Sequence, residues 1–130
     1  MKKPELKFKP TESELEILSI LWNKGPSTVR AVHDTMSHNK NVRYTTTLKL
    51  MQIMTEKGMV ERVMDGRTHI YYAISRQEDA QARMLDRILE TAFGGSASKL
   101  VLQALGNHKT SDEELQEIKD LIQKLEGNKS

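Results

Sequence analysis

The sequence predicts a mainly α-helical fold carrying one small β-hairpin, and three observations predict it. Apolar residues recur at helical spacing through most of the chain. From Met59 to Ile74 the pattern changes to alternation around Asp65-Gly66. The helical pattern then returns and holds to the C-terminal end.

Thr11 followed by Glu14 has capping-box spacing, so a helix begins there. Leu15, Leu18, Leu21 and Trp22 continue it over about Ser13 to Asn23, and Gly25-Pro26 stops it. Trp22 reads as core. Ser27 is placed to cap a second helix with the stripe Val29, Val32 and Met36. The polar run His38 to Asn41 reads as a turn. Thr45 then caps a third helix with Leu48, Met51 and Met54 inward, and Gly58 ends it in the left-handed conformation. Asp65-Gly66 between two strand-like runs is a hairpin signal, with Tyr71 and Tyr72 on opposite faces so that only one is buried. Three helices and a hairpin in this order form a winged helix-turn-helix, assigned to residues 1–75.

Residues 76–130 read as a C-terminal helical dimerisation region. From Gln77 to Phe93 a wide apolar face includes Ala80, Met84, Leu85, Ile88, Leu89 and Phe93, and Gly94-Gly95 ends it. A shorter helix over Ala97 to Leu105 carries Leu100, Val101 and Leu105. Ser111 with Glu114 repeats the capping-box spacing before Leu115, Ile118, Leu121, Ile122 and Leu125, and the tail from Gly127 reads as frayed. So short a bundle seldom closes a core alone, so these faces pack either on the first domain or, preferably, on a second copy.

Composition agrees with this plan. A chain of 130 residues with 37% hydrophobic and 5% aromatic content, and seven methionines, has a lean aliphatic core. With no cysteine it has no disulfides and no thiolate metal ligands, which suits the cytosol. Met1, Lys2 and Lys3 are followed by Pro4, Glu5, Lys7 and Lys9 rather than an apolar run, so no export signal is expected. No stretch is long and apolar enough for a membrane span. Charge is divided: residues 1–75 hold 12 Lys and Arg against 8 Asp and Glu, whereas residues 76–130 hold 8 against 10. The basic part is the better match for a polyanion.

On the third helix Thr45, Thr46, Thr47, Lys49, Gln52 and Lys57 are left for the exposed side. Threonine hydroxyls and glutamine amides hydrogen-bond base edges, and lysine neutralises phosphate or reads guanine. Arg30, Lys40, Arg43, Arg62 and Arg67 come from the second helix, the turn and the wing, and are expected to frame that face. Arg67, with His69, stands at the wing tip, where a cation can reach backbone or minor groove. Tyr44 either stacks on sugar-phosphate or packs as a staple against the helix. The partner implied is double-stranded DNA. The alternative is a protein-interaction module that uses the same fold without touching DNA.

Enzymatic and metal sites are not expected. His33, His38, His69 and His108 lack ligand spacing and read as surface residues, and there is no glycine-rich phosphate loop or serine nucleophile motif. No cofactor is implied.

The run Tyr44-Thr45-Thr46-Thr47-Leu48, the segment Glu56-Lys57-Gly58-Met59-Val60, then Asp65-Gly66-Arg67 and Tyr71-Tyr72 resemble the penicillinase-repressor family of bacterial regulators. Glu14, Leu15, Ile17, Leu18 and Leu21-Trp22 fit as well. The resemblance runs from Thr11 to about Leu125. It implies a homodimeric repressor on a palindromic operator, held by its C-terminal helices. In some members it implies release through a membrane sensor-protease pathway, in others a response to copper. Copper-type members carry C-terminal cysteines, and this chain has none. Where the resistance-type members are cut at Asn-Phe, this chain holds Gln103-Ala104; Leu100 to Leu105 otherwise reads as dimer helix.

Overall fold

Thr11 opens the first helix in both directions of the capping box. Its hydroxyl accepts from the Glu14 amide at 3.2 Å, and the Glu14 carboxylate accepts from the Thr11 amide at 2.9 Å. The computed structural model describes residues 10–128. The reading of Met1 to Lys9 as a non-exported start lies outside the described residues. Within them the order is α1 (Glu12–Lys24), α2 (Val29–Met36), α3 (Tyr44–Lys57), β1 (Val60–Asp65), β2 (Thr68–Ala73), α4 (Gln77–Ala92), α5 (Ala97–Asn107) and α6 (Asp112–Gly127). This is the mainly helical, winged-helix plan that the sequence predicts. No described helix is long and apolar enough to cross a membrane.

Two helix starts differ from the sequence reading. Thr28, not Ser27, caps α2 by accepting from the Ala31 amide at 3.1 Å. Ser27 is occupied elsewhere: its N–H donates to the Tyr71 carbonyl at 2.9 Å, and its carbonyl accepts from the Tyr71 N–H at 2.8 Å. Helix α3 begins at Tyr44 rather than after Thr45, with Arg43 in the cap position and no side-chain cap bond. Its other end is as expected. Gly58, at φ 82°, donates to Thr55 and the Met59 amide to Met54, the paired bonds of a Schellman motif, and Met59 is fully buried.

The strands pair antiparallel in the register Val60↔Ala73 through Asp65↔Thr68, leaving Gly66-Arg67 as the loop. Gly66 has φ 68°, and no described non-glycine residue has a positive φ. Positive φ at the first loop position alone suits a II′ turn, whose twist matches the strands. The Ser27–Tyr71 bridge extends this ribbon on its other edge and ties the wing to the connection between α1 and α2.

Ile17, Leu18, Leu21, Val32, Met51, Met54 and Tyr71 form the core between α1, α2, α3 and the hairpin. Of the two tyrosines Tyr71 is the buried one, and Tyr72 is half-buried. Trp22 packs against this cluster while its indole N–H donates to the Ser75 carbonyl at 2.9 Å. The chain divides into two compact units between Asp86 and Arg87, within α4. In α5 and α6 no residue is buried. Along α4 to α6 Leu85, Ile88, Val101, Leu121 and Ile122 are exposed, and Met84, Leu89, Phe93, Leu100, Leu105, Leu115 and Ile118 are half-buried. The sequence predicts a frayed tail from Gly127, but helix α6 runs through Gly127 with Asn128 as its cap; residues 129 and 130 lie outside the described residues.

Glu14 joins the two ends of the domain core. It is 2% exposed, and its second carboxylate oxygen accepts from Lys57 Nζ at 2.9 Å across from the end of α3. Burial pushes its pKa up, but the Thr11 amide and the Lys57 ammonium outweigh that and hold it below the ordinary 4.5. A lowered folded pKa contributes stability above the unfolded value, and that stability is lost as pH falls through the folded value. Glu14→Gln is therefore expected to cost about 2 kcal/mol near neutral pH. In urea melts across pH, the gap from the unsubstituted chain should narrow as the pH drops below 4.5. A gap independent of pH would show that the charge contributes nothing.

Candidate nucleic-acid interface

Which face of α3 is buried decides which face is offered outward. Thr47, Met51 and Met54 are buried, a stripe at i, i+4 and i+7. At about 100° per residue, Thr45, Lys49, Gln52 and Glu56 lie on the opposite side, and all four are exposed. Thr46 is exposed on the flank. The stripe thus carries hydroxyl, ammonium and amide groups for its first three turns and ends on a carboxylate.

Thr47 corrects the sequence reading, which placed it among the exposed polar groups. It is 0% exposed, and its hydroxyl lies 3.0 Å from His33 Nδ1 on α2. The sequence pattern predicts Leu48, Met51 and Met54 as the inward stripe, but Thr47 takes the deep position, and Leu48 is half-buried beside it. A threonine can do this because its methyl packs while its hydroxyl finds a partner. His33, which the sequence places at the surface, is a second correction. It is half-buried and engaged on both nitrogens, with Ser37 Oγ 3.2 Å from Nε2, and its ring meets Tyr44 edge-on at 5.4 Å. The signal was present in the sequence, since His33 follows Val29 by one helical turn.

Tyr44 is also held by Arg30, whose guanidinium sits 4.2 Å from its ring centroid. The ring thus packs against Arg30 and His33 of α2 at the edge of the core, and no staple contact along its own helix is seen among the described residues. Arg43, exposed at the α3 cap, stands beside the start of that helix. No threonine or serine closes that end, unlike α1, α2, α5 and α6. An anion can be received there by free amides and the positive end of the helix dipole.

An open groove of about 520 Å³ separates α3 from the wing. Arg30, Gln52, Arg62 and Arg67 line it with Tyr44, Leu48, Thr68, His69 and Tyr71, and no carboxylate is among its lining residues. Arg62 Nη1 donates to the buried Tyr71 hydroxyl at 3.4 Å, a bond that keeps the guanidinium on the groove side of the hairpin. On the opposite face of the same ribbon, the Tyr72 hydroxyl donates to Glu61. That bond, with the charge of Glu61, raises the Tyr72 pKa. The hairpin thus has an arginine side toward α3 and an acidic side away from it.

Two predicted cations are used elsewhere. Lys40 binds Glu16 of α1 at 2.8 Å, and that carboxylate raises the lysine pKa. Lys57 is taken by Glu14. Both partners are distant in sequence, which is why spacing alone did not reveal them. The residues brought together are therefore Arg30, Arg62 and Arg67 about the groove, with Thr45, Thr46, Lys49 and Gln52 on the outer face of α3.

Known proteins share this chain's pattern. The sequence profile described as penicillinase repressor matches residues 10–124. The transcriptional regulator BlaI of Mycobacterium tuberculosis is 31% identical over 64% of this chain and 62% of its own length. The chain thus spans somewhat less than two thirds of that relative. The methicillin resistance regulatory protein MecI of Staphylococcus aureus is 20% identical over 90% of this chain and 95% of its own. The penicillinase repressor of Bacillus licheniformis is 20% identical over 92% and 93%.

Thr47→Val tests the internal support of α3. It keeps the volume and removes the hydroxyl that His33 engages, so stability in urea is expected to fall by about 1 kcal/mol. An unchanged or higher midpoint would show that the bond does not hold the helix.

Proposed function

The chain belongs to the penicillinase repressor family, and from that premise we propose that it is a DNA-binding transcriptional repressor that grips a palindromic operator as a homodimer. The observation that carries this reading is the exposed Thr45, Lys49 and Gln52 stripe of α3 beside a groove lined by three arginines and no carboxylate. A stripe of this kind suits the major groove, where threonine, lysine and glutamine meet base edges. Arg30, Arg62, Arg67 and Arg43 then neutralise phosphates on either side, which gives affinity without sequence preference.

The second half of the reading is the pairing. Leu85, Ile88, Val101, Leu121 and Ile122 are exposed apolar side chains on α4, α5 and α6, and a second copy of the same helices is the occupant that would remove them from water. Residues 76–130 are accordingly assigned as the dimerisation region and residues 1–75 as the reader. Two linked readers can bind more tightly than one by about 10² to 10⁴. Any event that separates the pair lowers occupancy, and cleavage in the dimerisation region by a membrane sensor-protease pathway is the form that the family suggests. The protein would act in the cytoplasm, where the chromosome is.

The test uses a duplex enriched from a random pool by the protein, compared with random DNA over a series of salt concentrations. Gln52→Ala is expected to lose about 1–3 kcal/mol of preference for the enriched duplex. Arg67→Ala should weaken both duplexes alike and reduce the salt slope by about one. Retention that is insensitive to salt, or no retention by the unsubstituted chain, would favour a protein-interaction module on the same fold.

A further inference from the structure

We propose that Tyr44 is a positioning residue for Arg30: it acts on DNA through the guanidinium stacked on its ring and not through contacts of its own. The proposal rests on the DNA-binding reading and adds how one of its phosphate contacts is prepared.

The geometry forms a chain from the core to the groove. Thr47 is buried and fixed by the packing of α3. Its hydroxyl holds His33 Nδ1 at 3.0 Å, and Ser37 Oγ lies 3.2 Å from the other ring nitrogen, so the imidazole cannot turn without losing both partners. The imidazole meets the Tyr44 ring edge-on, at 5.4 Å between centroids and 79° between planes. Tyr44 in turn carries the Arg30 guanidinium at 4.2 Å. Arg30 and Tyr44 both line the groove that Arg62 and Arg67 share.

Arg30 is exposed and makes no ion pair among the described residues. A free arginine of this kind samples many rotamers and loses that freedom on meeting a phosphate. Stacking on a fixed aromatic face restricts the side chain beforehand. Because the side chain is exposed and without an ion pair among the described residues, its N–H donors stay available for a phosphate oxygen. The same arrangement accounts for an aromatic residue at the first position of a helix that lacks a side-chain cap.

A double-mutant cycle on the enriched duplex tests this, because a positioning residue has an effect only while the group it positions is present. Tyr44→Leu is expected to weaken binding about fivefold in the unsubstituted chain and less than about twofold when Arg30→Ala is already present. Tyr44→Phe, which keeps the ring and loses the hydroxyl, should restore most of the loss. Equal losses in the two backgrounds would overturn the proposal and make Tyr44 a direct contact or a plain packing residue. Should Tyr44→Leu fail to fold, the same cycle is run with Tyr44→Met, which keeps bulk without an aromatic face. The loss should again be about fivefold with Arg30 present and less than about twofold with Arg30→Ala, and equal losses would overturn the proposal. Failure of the DNA-binding reading itself is a separate result, since the unsubstituted chain would then show no salt-sensitive retention at all.

Discussion

The rotation of α3 about its own axis is the constraint on which the rest of the candidate interface depends. A helix of this length has one stripe to bury, and whichever residues fill it fix what faces outward. Here Thr47, Met51 and Met54 fill it, and the Schellman turn at Gly58 with Met59 beneath it holds the far end. Lys57 reaches back to Glu14 from that end, so α3 is secured against the start of α1. Thr45, Lys49 and Gln52 then stand outward together without any further device.

The wing is fixed by a second, independent tie. Tyr71 pairs through its backbone with Ser27, is buried through its ring and receives Arg62 at its hydroxyl. One residue thus sets the position of the hairpin, its burial and the direction of a guanidinium. Because cross-strand neighbours share a face, Arg62 opposite Tyr71 faces α3 while Glu61 opposite Tyr72 faces away. The division of charge between the two faces follows from register alone, and a slip of one residue would reverse it.

Much of this was legible in the sequence, and the part that was not has a physical cause. The capping box at Thr11, the stop at Gly58, the Asp65-Gly66 turn and the burial of one tyrosine are local patterns, each set by residues a few positions apart. The N-terminal limits of α2 and α3 were misread because Ser27 and Thr45 have the chemistry of caps, and nothing local shows that Ser27 is needed by Tyr71. Thr47 was misread because hydroxyl-bearing residues count as polar in a periodic pattern, whereas its partner, His33, lies on another helix. Lys40 and Lys57 looked free for the same reason, since Glu16 and Glu14 approach them only after folding.

The exposed leucines and isoleucines of α4 to α6 are the support for the proposed pairing of two copies. The central claim is that two α3 stripes enter successive major grooves of one duplex. Hydroxyl-radical and methylation footprints of the enriched duplex test it most directly. The account predicts two protected patches on one side of the helix, about 34–36 Å apart between centres, with guanines shielded in the major groove of each. A single patch, or protection spread evenly along the duplex, would contradict it.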